Sequence, residues 1–357
     1  MGRRLADRFN PALADARVIH FTEGSMAREV IARLRGSPRG WNKIMSDNVW
    51  FENRAVAALE QSNLLAQAPK PIVFAYSYAS LGILKAARKA GCITVLGQID
   101  PAVCEEQIVA KVVGDAGLPD EAINRAPPAY WDRWREECAL ADHIVVNSHW
   151  SREGLMRAGI SPSKLHVVPL AYTPSADINQ HRAIWGGPGS RPIHVLFLGS
   201  LIARKGIYEL LAAARLLSGR PARFDVVGPG GHTLQAQMQA MDNVTYHGAV
   251  TRQEVHARFG AADVFVLPTH SDGFALTQLE AQSHGLPVIA SRYCGDAVTD
   301  GLNGLLLAEV SPSALAAAVA KYLDNPAMLA AHSSHARDTL TRFTPDRVLD
   351  MLQDIVL

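Results

Sequence analysis

The segment Ser271–Ser291, SDGFALTQLEAQSHGLPVIAS, places an acid and a glycine before an apolar stretch that contains a second acid. Apolar residues at helical spacing predict that a helix begins near Ala275 or Leu276. The first N–H groups of a helix lack partners within it and attract anions such as phosphate. Asp272 lies just before this helix and Glu280 about a turn and a half inside it. The pattern therefore predicts an acid for a sugar, a helix start for phosphate, and an acid for the two hydroxyls of a ribose.

A pair of adjacent cations lies upstream of this segment, in VLFLGSLIARKG. A buried strand ends at Gly199, and Arg204 and Lys205 follow a turn of small residues. Two cations at the carboxyl end of a strand suit a diphosphate, although a solvated basic pair on a loop is an equal alternative. Taken alone, Asp272 is explained as an N-cap and Glu280 as a salt-bridged helix residue. The combination of all four residues favours a common site.

A glycine-rich turn, VVGPGG, spans Val226–Gly231. Its glycines would let the backbone approach a nucleotide closely, and a simple tight turn explains them equally well. A nicotinamide-dependent oxidoreductase would need a further glycine where Thr233 stands. This position counts against that class of enzyme.

Composition narrows the class of protein. The 357 residues favour two domains, and the net charge of +1 gives no general field for nucleic acid or an anionic membrane. The four scattered cysteines indicate free thiols in a reducing compartment. The sequence has no apolar run of transmembrane length and no signal-peptide pattern. These features predict a cytoplasmic protein, with peripheral contact at the inner membrane face as an open alternative.

Short apolar strands alternate with helical patterns along both halves, which predicts an α/β fold with parallel sheets buried on both faces. The predicted strands are Arg17–Phe21, Ile72–Tyr76, Thr94–Gln98, His143–Asn147, His166–Pro169, His194–Leu198, Arg223–Val227, Val244–His247, Val264–Leu267, Val288–Ser291 and Gly304–Leu307. A segment rich in Pro, Gly and Ser, Thr173–Pro192, separates the halves. We therefore predict an N-terminal domain over 1–182, a C-terminal domain over 183–342, and a terminal helix over 343–357 that packs back towards the N-terminal domain.

Taken together, the motifs resemble glycosyltransferase family 4, the retaining glycosyl transferases group 1. FLGSLIARKG, VVGPGG, LEAQSHGLPVIAS and DGLNGLLL occur in the order of the family, and ALADHIVVNSHWSREGLMRAGISPSKLHVVPL resembles its last acceptor-domain segment. The resemblance runs from about Ile72 to the C-terminus. It implies the GT-B fold, in which two Rossmann-like doubly wound parallel-sheet domains enclose an interdomain cleft. It also implies retaining transfer of a sugar from a UDP- or GDP-linked donor to a saccharide or lipid-linked acceptor.

Carried over by position, the resemblance implies site residues. The implied catalytic residues are Asp272, Arg204, Lys205 and Asp100. The implied donor-binding residues are Gly199, Arg204, Lys205, Gly228, Gly273, Phe274, Ala275, Leu276, Thr277 and Glu280. The implied acceptor-binding residues are Gly24, which stands for the N-terminal glycine loop, Tyr76 and Gln98.

Two positions depart from the pattern of the family. Asp272 stands where the family usually has Glu, and no histidine occurs near Asp100, where the family often has a catalytic one. These departures motivate an alternative, a GT-B module that binds nucleotide-sugar or a partner and transfers sugar weakly. The sequence has no Asp-x-Asp motif, so we expect no metal and no cofactor beyond the nucleotide-sugar co-substrate. His270 and His284 are expected to be a loop and a helix residue rather than metal ligands.

Overall fold

The structure, a computed structural model, describes residues 15–35, 39–62, 64–66, 70–119, 123–175, 178 and 184–356. The chain divides into two compact units. Residues 1–94 and 126–140 form the first unit, and residues 95–125 and 141–357 form the second. The predicted domain boundary between 182 and 183 lies outside the described residues and stays a prediction.

The secondary structure alternates as an α/β chain should. The α-helices are α1 (Thr22–Arg35), α2 (Gly40–Gln61), α3 (Leu81–Lys89), α4 (Val103–Asp115), α5 (Pro128–Leu140), α6 (His149–Arg157), α7 (Ile207–Leu216), α8 (His232–Gln239), α9 (Arg252–Ala261), α10 (Thr277–Ser283), α11 (Pro312–Asp324), α12 (Pro326–His335) and α13 (Pro345–Val356). The strands are β1 (Ile72–Tyr76), β2 (Ile93–Gln98), β3 (His143–Val146), β4 (Leu165–Val167), β5 (Ile193–Leu198), β6 (Ala222–Val227), β7 (Val244–Gly248), β8 (Val264–Leu267), β9 (Val288–Ser291) and β10 (Gly304–Leu307). Short 3₁₀ turns occur at Leu64–Ala66, Pro162–Lys164, Ala203–Lys205 and Asp338–Phe343.

The second unit contains two parallel sheets. In the smaller one, β3 lies between β2 and β4, with Val95 opposite His143 and Ile144 opposite Leu165. The larger sheet has the order β10-β9-β8-β5-β6-β7. This is the doubly wound Rossmann order, in which the chain turns from one side of the sheet to the other between β5 and β8. Ligands of such sheets bind at the carboxyl ends of the strands near that reversal.

Strand β8 shows why the apolar runs predicted the fold. Val264 and Val266 pack into one core with the sheet and helices α7 and α11, whereas Phe265 and Leu267 pack into a second core with Phe259 of α9. All four residues of the strand are buried. A strand covered by helices on both faces has no polar side, so its sequence reads as continuous apolar residues.

One predicted strand, Arg17–Phe21, is wrong. These residues form no strand, and the chain enters α1 at Thr22. Val18 and Ile19 are exposed. A β-branched run becomes a strand only where a neighbouring strand accepts its backbone hydrogen bonds. The other predicted strands are confirmed to within a residue or two at their ends.

Two further features concern the ends of the chain and the membrane. The predicted terminal helix is present as α13, and its packing towards the N-terminal domain stays a prediction. Within the described ranges, no helix combines the length and the apolar character that crossing a bilayer requires.

Candidate functional site

A 3₁₀ turn at the carboxyl end of β5 holds the two predicted cations. The turn spans Ala203–Lys205 and ends at Gly206, whose φ is 75°. A Cβ at Gly206 would collide with the carbonyl oxygen of Pro268, which follows β8. Only glycine therefore allows the turn to pack this closely. The close packing brings Arg204 and Lys205 beside the loop that precedes α10.

The cations meet Asp272 in that loop. Lys205 Nζ forms an ion pair with Asp272 Oδ2, and Arg204 Nη1 lies 3.9 Å from Asp272 Oδ1. Arg204 Nη1 also donates a hydrogen bond of 2.7 Å to the carbonyl oxygen of Ser271. The structure thus brings three of the four predicted catalytic residues together. The alternative explanation of Asp272 as an N-cap is wrong, because the N-cap of α10 is Leu276.

A second carboxylate, which the sequence reasoning missed, reaches one of these cations, Arg204. Glu105 on α4 places Oε1 3.5 Å from Arg204 Nη1, and its Oε2 accepts a hydrogen bond of 2.9 Å from the Ser271 hydroxyl. Burial raises the pKa of Glu105 to about 7, and the charges of Asp100 and Asp272 also raise it while Arg204 lowers it. The sequence gives only a weak indication of Glu105 as a site residue, namely the acids in the segment IDPAVCEE directly after β2.

Backbone N–H groups without a hydrogen-bond partner among the described residues lie at the start of α10. Among the described residues, the N–H groups of Leu276 and Thr277 have no hydrogen-bond partner. The Ala275 N–H donates to the Cys294 carbonyl at 3.0 Å, so it is already satisfied. The Phe274 ring is buried and lies 5.7 Å from the ring of Phe343. Of these four predicted donor-binding residues, Ala275 alone donates its N–H in a hydrogen bond among the described residues, and Phe274, Leu276 and Thr277 do not.

Glu280 lies further along α10 and has different neighbours. Burial raises the pKa of its carboxyl group, while Arg252 and His256 on α9 lower it. Within the described part of the chain, no hydrogen bond or ion pair joins Glu280 to Arg204 or Lys205. Its role towards a ribose therefore stays a prediction.

Three predicted donor-binding glycines have distinct surroundings. A Cβ at Gly228, where φ is 139°, would collide with the carbonyl oxygen of Gly199, whereas Gly199 itself borders open space. A Cβ at Gly273 would collide with the carbonyl oxygen of Ile99 and lie 2.9 Å from Asn147 Nδ2. Gly228 and Gly273 thus have structural reasons to be glycine. Gly199 is the one of these three that leaves room beside its backbone.

Gln98, predicted to bind the acceptor, and Asp100, predicted to be catalytic, are hydrogen-bonded to each other. Gln98 Nε2 donates to Asp100 Oδ1 at 2.8 Å, and the Ala102 N–H donates to the same oxygen at 2.8 Å. Ala102 has a φ of 54°, so Asp100 stabilises an unusual turn before α4. Its position two residues after β2 also places its charge near Glu105. A catalytic role for Asp100 stays a prediction.

The other two acceptor candidates lie in the first unit. Gly24 was predicted to lie in a glycine loop, and this is wrong. It lies inside α1, where a Cβ would lie 3.1 Å from Cζ2 of Trp50. Tyr76 ends β1 with its side chain 62% exposed and its ring 5.4 Å from that of Phe74. The correction removes the loop that Gly24 was predicted to form, and both binding roles stay predictions.

The histidines singled out in the sequence have protein partners. His270 Nε2 lies 2.9 Å from Glu209 Oε1, and His284 Nε2 lies 3.1 Å from His256 Nδ1. Across the ranges that the structure describes, no group of three or more His, Cys, Asp or Glu residues is arranged to hold a metal ion.

Comparison with solved structures places this geometry in a known architecture. Sucrose-phosphate synthase from Thermosynechococcus elongatus superposes with a TM-score of 0.65 at 22% identity, over 89% of this chain and 79% of that one. Anabaena HepE in complex with UDP superposes with a TM-score of 0.62 at 18% identity, over 85% and 80%. The fold is GT-B. The GT-B assignment confirms the fold class that the resemblance implied.

Sequence comparison points to the same group of proteins. Residues 192–325 match the family described as glycosyl transferases group 1, and this region carries Arg204, Lys205, Asp272 and Glu280. D-inositol 3-phosphate glycosyltransferase 2 of Catenulispora acidiphila is 31% identical over 229 residues, 57% of this chain and 53% of the relative. The corresponding protein of Geodermatophilus obscurus is 32% identical over 238 residues, 60% of this chain and 52% of the relative. The chain spans about half the length of these curated relatives.

Proposed function

We propose that this protein is a retaining glycosyltransferase that moves a sugar from a UDP- or GDP-linked donor to a saccharide or lipid-linked acceptor. The observation that carries the proposal is the cationic pair Arg204 and Lys205 on the turn after β5, beside the acid Asp272. The pair lies next to the topological reversal of a doubly wound sheet, where such folds bind ligands. The match of residues 192–325 to glycosyl transferases group 1 supports the same reaction class.

In this proposal the cations act on the diphosphate. Arg204 and Lys205 bind its oxygens and stabilise the negative charge that grows as the bond between the sugar and the diphosphate breaks. The N–H groups of Leu276 and Thr277 add two neutral donors. The acceptor hydroxyl forms the new bond on the same face of the sugar, and its proton passes to the departing phosphate oxygen. No enzyme base is needed, and we propose that no metal takes part.

For the remaining donor contacts we propose the roles that the sequence resemblance implies. Glu280 would accept the ribose hydroxyls, and the open space beside Gly199 would let the nucleotide approach the backbone. In this proposal Gln98 and Tyr76 are acceptor-binding residues, and Asp100 is a catalytic residue. We propose that the reaction takes place in the cytoplasm, with contact at the inner membrane face if the acceptor is lipid-linked.

A screen of nucleotide-sugars tests this function. Purified protein is melted with UDP-, GDP- and ADP-linked sugars, with and without EDTA, and the positive donors are incubated with saccharide and lipid-linked acceptors. We expect one nucleotide class to raise the melting temperature by several degrees, and mass spectrometry to detect a glycosylated acceptor in the presence of EDTA. No stabilisation by any nucleotide-sugar would reject the proposal. Turnover only with added metal would reject the metal-independent part.

One observation favours the alternative of a weakly transferring module. Lys205 is bound directly to Asp272, the residue that stands where the resembling family has Glu. Asp is one methylene shorter, so its carboxylate stays near the cations rather than reaching towards the sugar. Nucleotide binding without turnover, followed by turnover in Asp272→Glu, would support the module. Equal turnover in both forms would support the transferase.

A further inference from the structure

Glu105 is a half-buried carboxylate that the proposed reaction does not use. It lies on the first turn of α4, and its two oxygens face different groups: Oε1 lies 3.5 Å from Arg204 Nη1, and Oε2 accepts the Ser271 hydroxyl at 2.9 Å. The Trp150 indole N–H donates to the same hydroxyl at 3.1 Å. Glu105 and the carbonyl of Ser271 thus approach the guanidinium through a single nitrogen, Nη1.

The rest of the guanidinium stays available. Among the described residues, Arg204 Nη2 and Nε have no hydrogen-bond partner. A guanidinium held at one nitrogen keeps its remaining N–H donors in a fixed plane, which suits the oxygens of a diphosphate. The contacts at Nη1 therefore orient Arg204 without consuming the donors that a ligand would need.

The charges around Glu105 make its ionised form unfavourable once an anion binds. Arg204 and Lys205 already face two carboxylates, Glu105 and Asp272. The charged groups that face Glu105 are Arg204 from the 3₁₀ turn, Asp272 from the loop before α10, and Asp100 from the turn before α4. From α6, the Trp150 indole N–H donates to the Ser271 hydroxyl, which in turn donates to Glu105. A diphosphate would add at least two negative charges to this partly buried cluster.

We propose that Glu105 positions Arg204 for the donor diphosphate and takes up a proton from solvent when the diphosphate binds. This inference rests on the proposed function, since it assumes that Arg204 meets a diphosphate. The proton forms an O–H bond on the Glu105 carboxylate, so one negative charge leaves the cluster as the ligand brings its own. Arg204 then neutralises phosphate instead of glutamate while the Ser271 carbonyl still holds Nη1. The raised pKa of Glu105, about 7 in the free protein, is consistent with such an exchange near neutral pH.

Calorimetry measures this exchange directly. UDP and GDP are titrated into the whole protein between pH 6 and pH 9, in buffers with different enthalpies of ionisation, which gives the number of protons bound. Above pH 7 we expect the wild type to take up close to one proton more than Glu105→Gln. The ratio of the variant's affinity to that of the wild type should rise about tenfold per pH unit. The ionisation of the nucleotide itself contributes equally to both proteins and cancels.

A matched control and the contrary outcomes complete the test. Asp115→Asn removes an exposed carboxylate from the other end of α4, where it pairs with Lys111, and should behave as the wild type. If Glu105→Gln takes up as many protons as the wild type, or loses affinity equally at every pH, the proposal is wrong and Glu105 is only structural. If the variant does not fold, the wild type is titrated with a UDP- or GDP-linked sugar, whose diphosphate has no group that ionises between pH 6 and pH 9. Uptake must then appear with a midpoint near pH 7, and its absence refutes the proposal. If neither nucleotide nor any nucleotide-sugar binds, the proposed function falls together with this inference.

Discussion

Two carboxylates, the buried Glu137 of the first unit and the half-buried Glu105 of the second, have different roles. Glu137 in the first unit accepts three backbone N–H groups at the start of α3, from Tyr78 at 2.7 Å, Ser80 at 3.0 Å and Leu81 at 3.1 Å. Glu105 in the second unit accepts one hydroxyl and faces one cation. Burial raises the pKa of both groups.

The difference lies in the donors. The donors around Glu137 are fixed backbone groups that would otherwise be unsatisfied at a helix start, so its carboxylate completes the fold. The partners of Glu105 include a cation on a surface turn, and two further acids oppose its charge. An arrangement this costly for an ionised group is typical of a functional site.

The largest effect is expected at Glu137. Glu137→Ala removes the acceptor of backbone N–H groups at the start of α3, two of them buried, which should lower the free energy of unfolding by about 3–5 kcal/mol. Urea denaturation measures the loss. Glu136→Ala is the matched control, since the neighbouring exposed carboxylate pairs with Lys85 and should cost less than about 1 kcal/mol. Equal losses in the two variants would show that Glu137 does not stabilise the start of α3.

The next effect is expected at Lys205 in the second unit. Lys205→Ala removes a charged donor and should weaken binding of UDP or GDP by about tenfold to a hundredfold, because charge-assisted hydrogen bonds contribute about 1.5–3 kcal/mol. Calorimetry measures the affinity, and the free energy of unfolding should change by less than about 1 kcal/mol. Arg220→Ala, at an exposed cation before β6 that pairs with Asp324, should bind nucleotide as the wild type does. Unchanged affinity in Lys205→Ala would refute its assigned role.

The smallest effect is expected when glutamine replaces each of the two carboxylates, Glu105 and Glu137. Because the folded protein raises the pKa of Glu105 from 4.5 to about 7, it binds more protons than the unfolded chain in that range, and its stability falls as pH rises through it. Glu105→Gln removes this loss and should be about 1–3 kcal/mol more stable than the wild type at pH 8, with the gain absent at pH 4.5. Glu137→Gln presents an amide donor to a backbone N–H and should be less stable at pH 8. Unfolding at both pH values measures the two signs, and the same sign for both variants would remove the contrast.

The sheet of the second unit could be predicted from sequence because burial on both faces leaves a plain pattern. Val264–Leu267 and Val288–Ser291 are short apolar runs between turns, and both are central strands. The cations were predictable for a similar local reason, since Arg204 and Lys205 follow the turn after a strand and precede a glycine. The run Arg17–Phe21 also contains β-branched and aromatic residues and forms no strand, because pairing depends on a neighbour that a local pattern does not contain.

The partners of the site residues could not be predicted in the same way. Glu105 meets Ser271 across 166 positions of sequence, so no local spacing connects them. Asp272 looked like a helix cap because it precedes α10, whereas the fold turns its side chain towards Lys205. Gly273 looked like a ligand contact, and its missing Cβ is required by the carbonyl of Ile99. Such long-range contacts arise only when the strand ends come together.

A crystal structure with bound UDP or GDP tests the central claim most directly, because it locates the diphosphate relative to the cationic pair. We expect phosphate oxygens about 3 Å from Lys205 Nζ and from the Nη2 or Nε atom of Arg204, with the Lys205–Asp272 ion pair lengthened or broken. A nucleotide whose phosphates lie away from both cations, with that ion pair intact, would contradict the account.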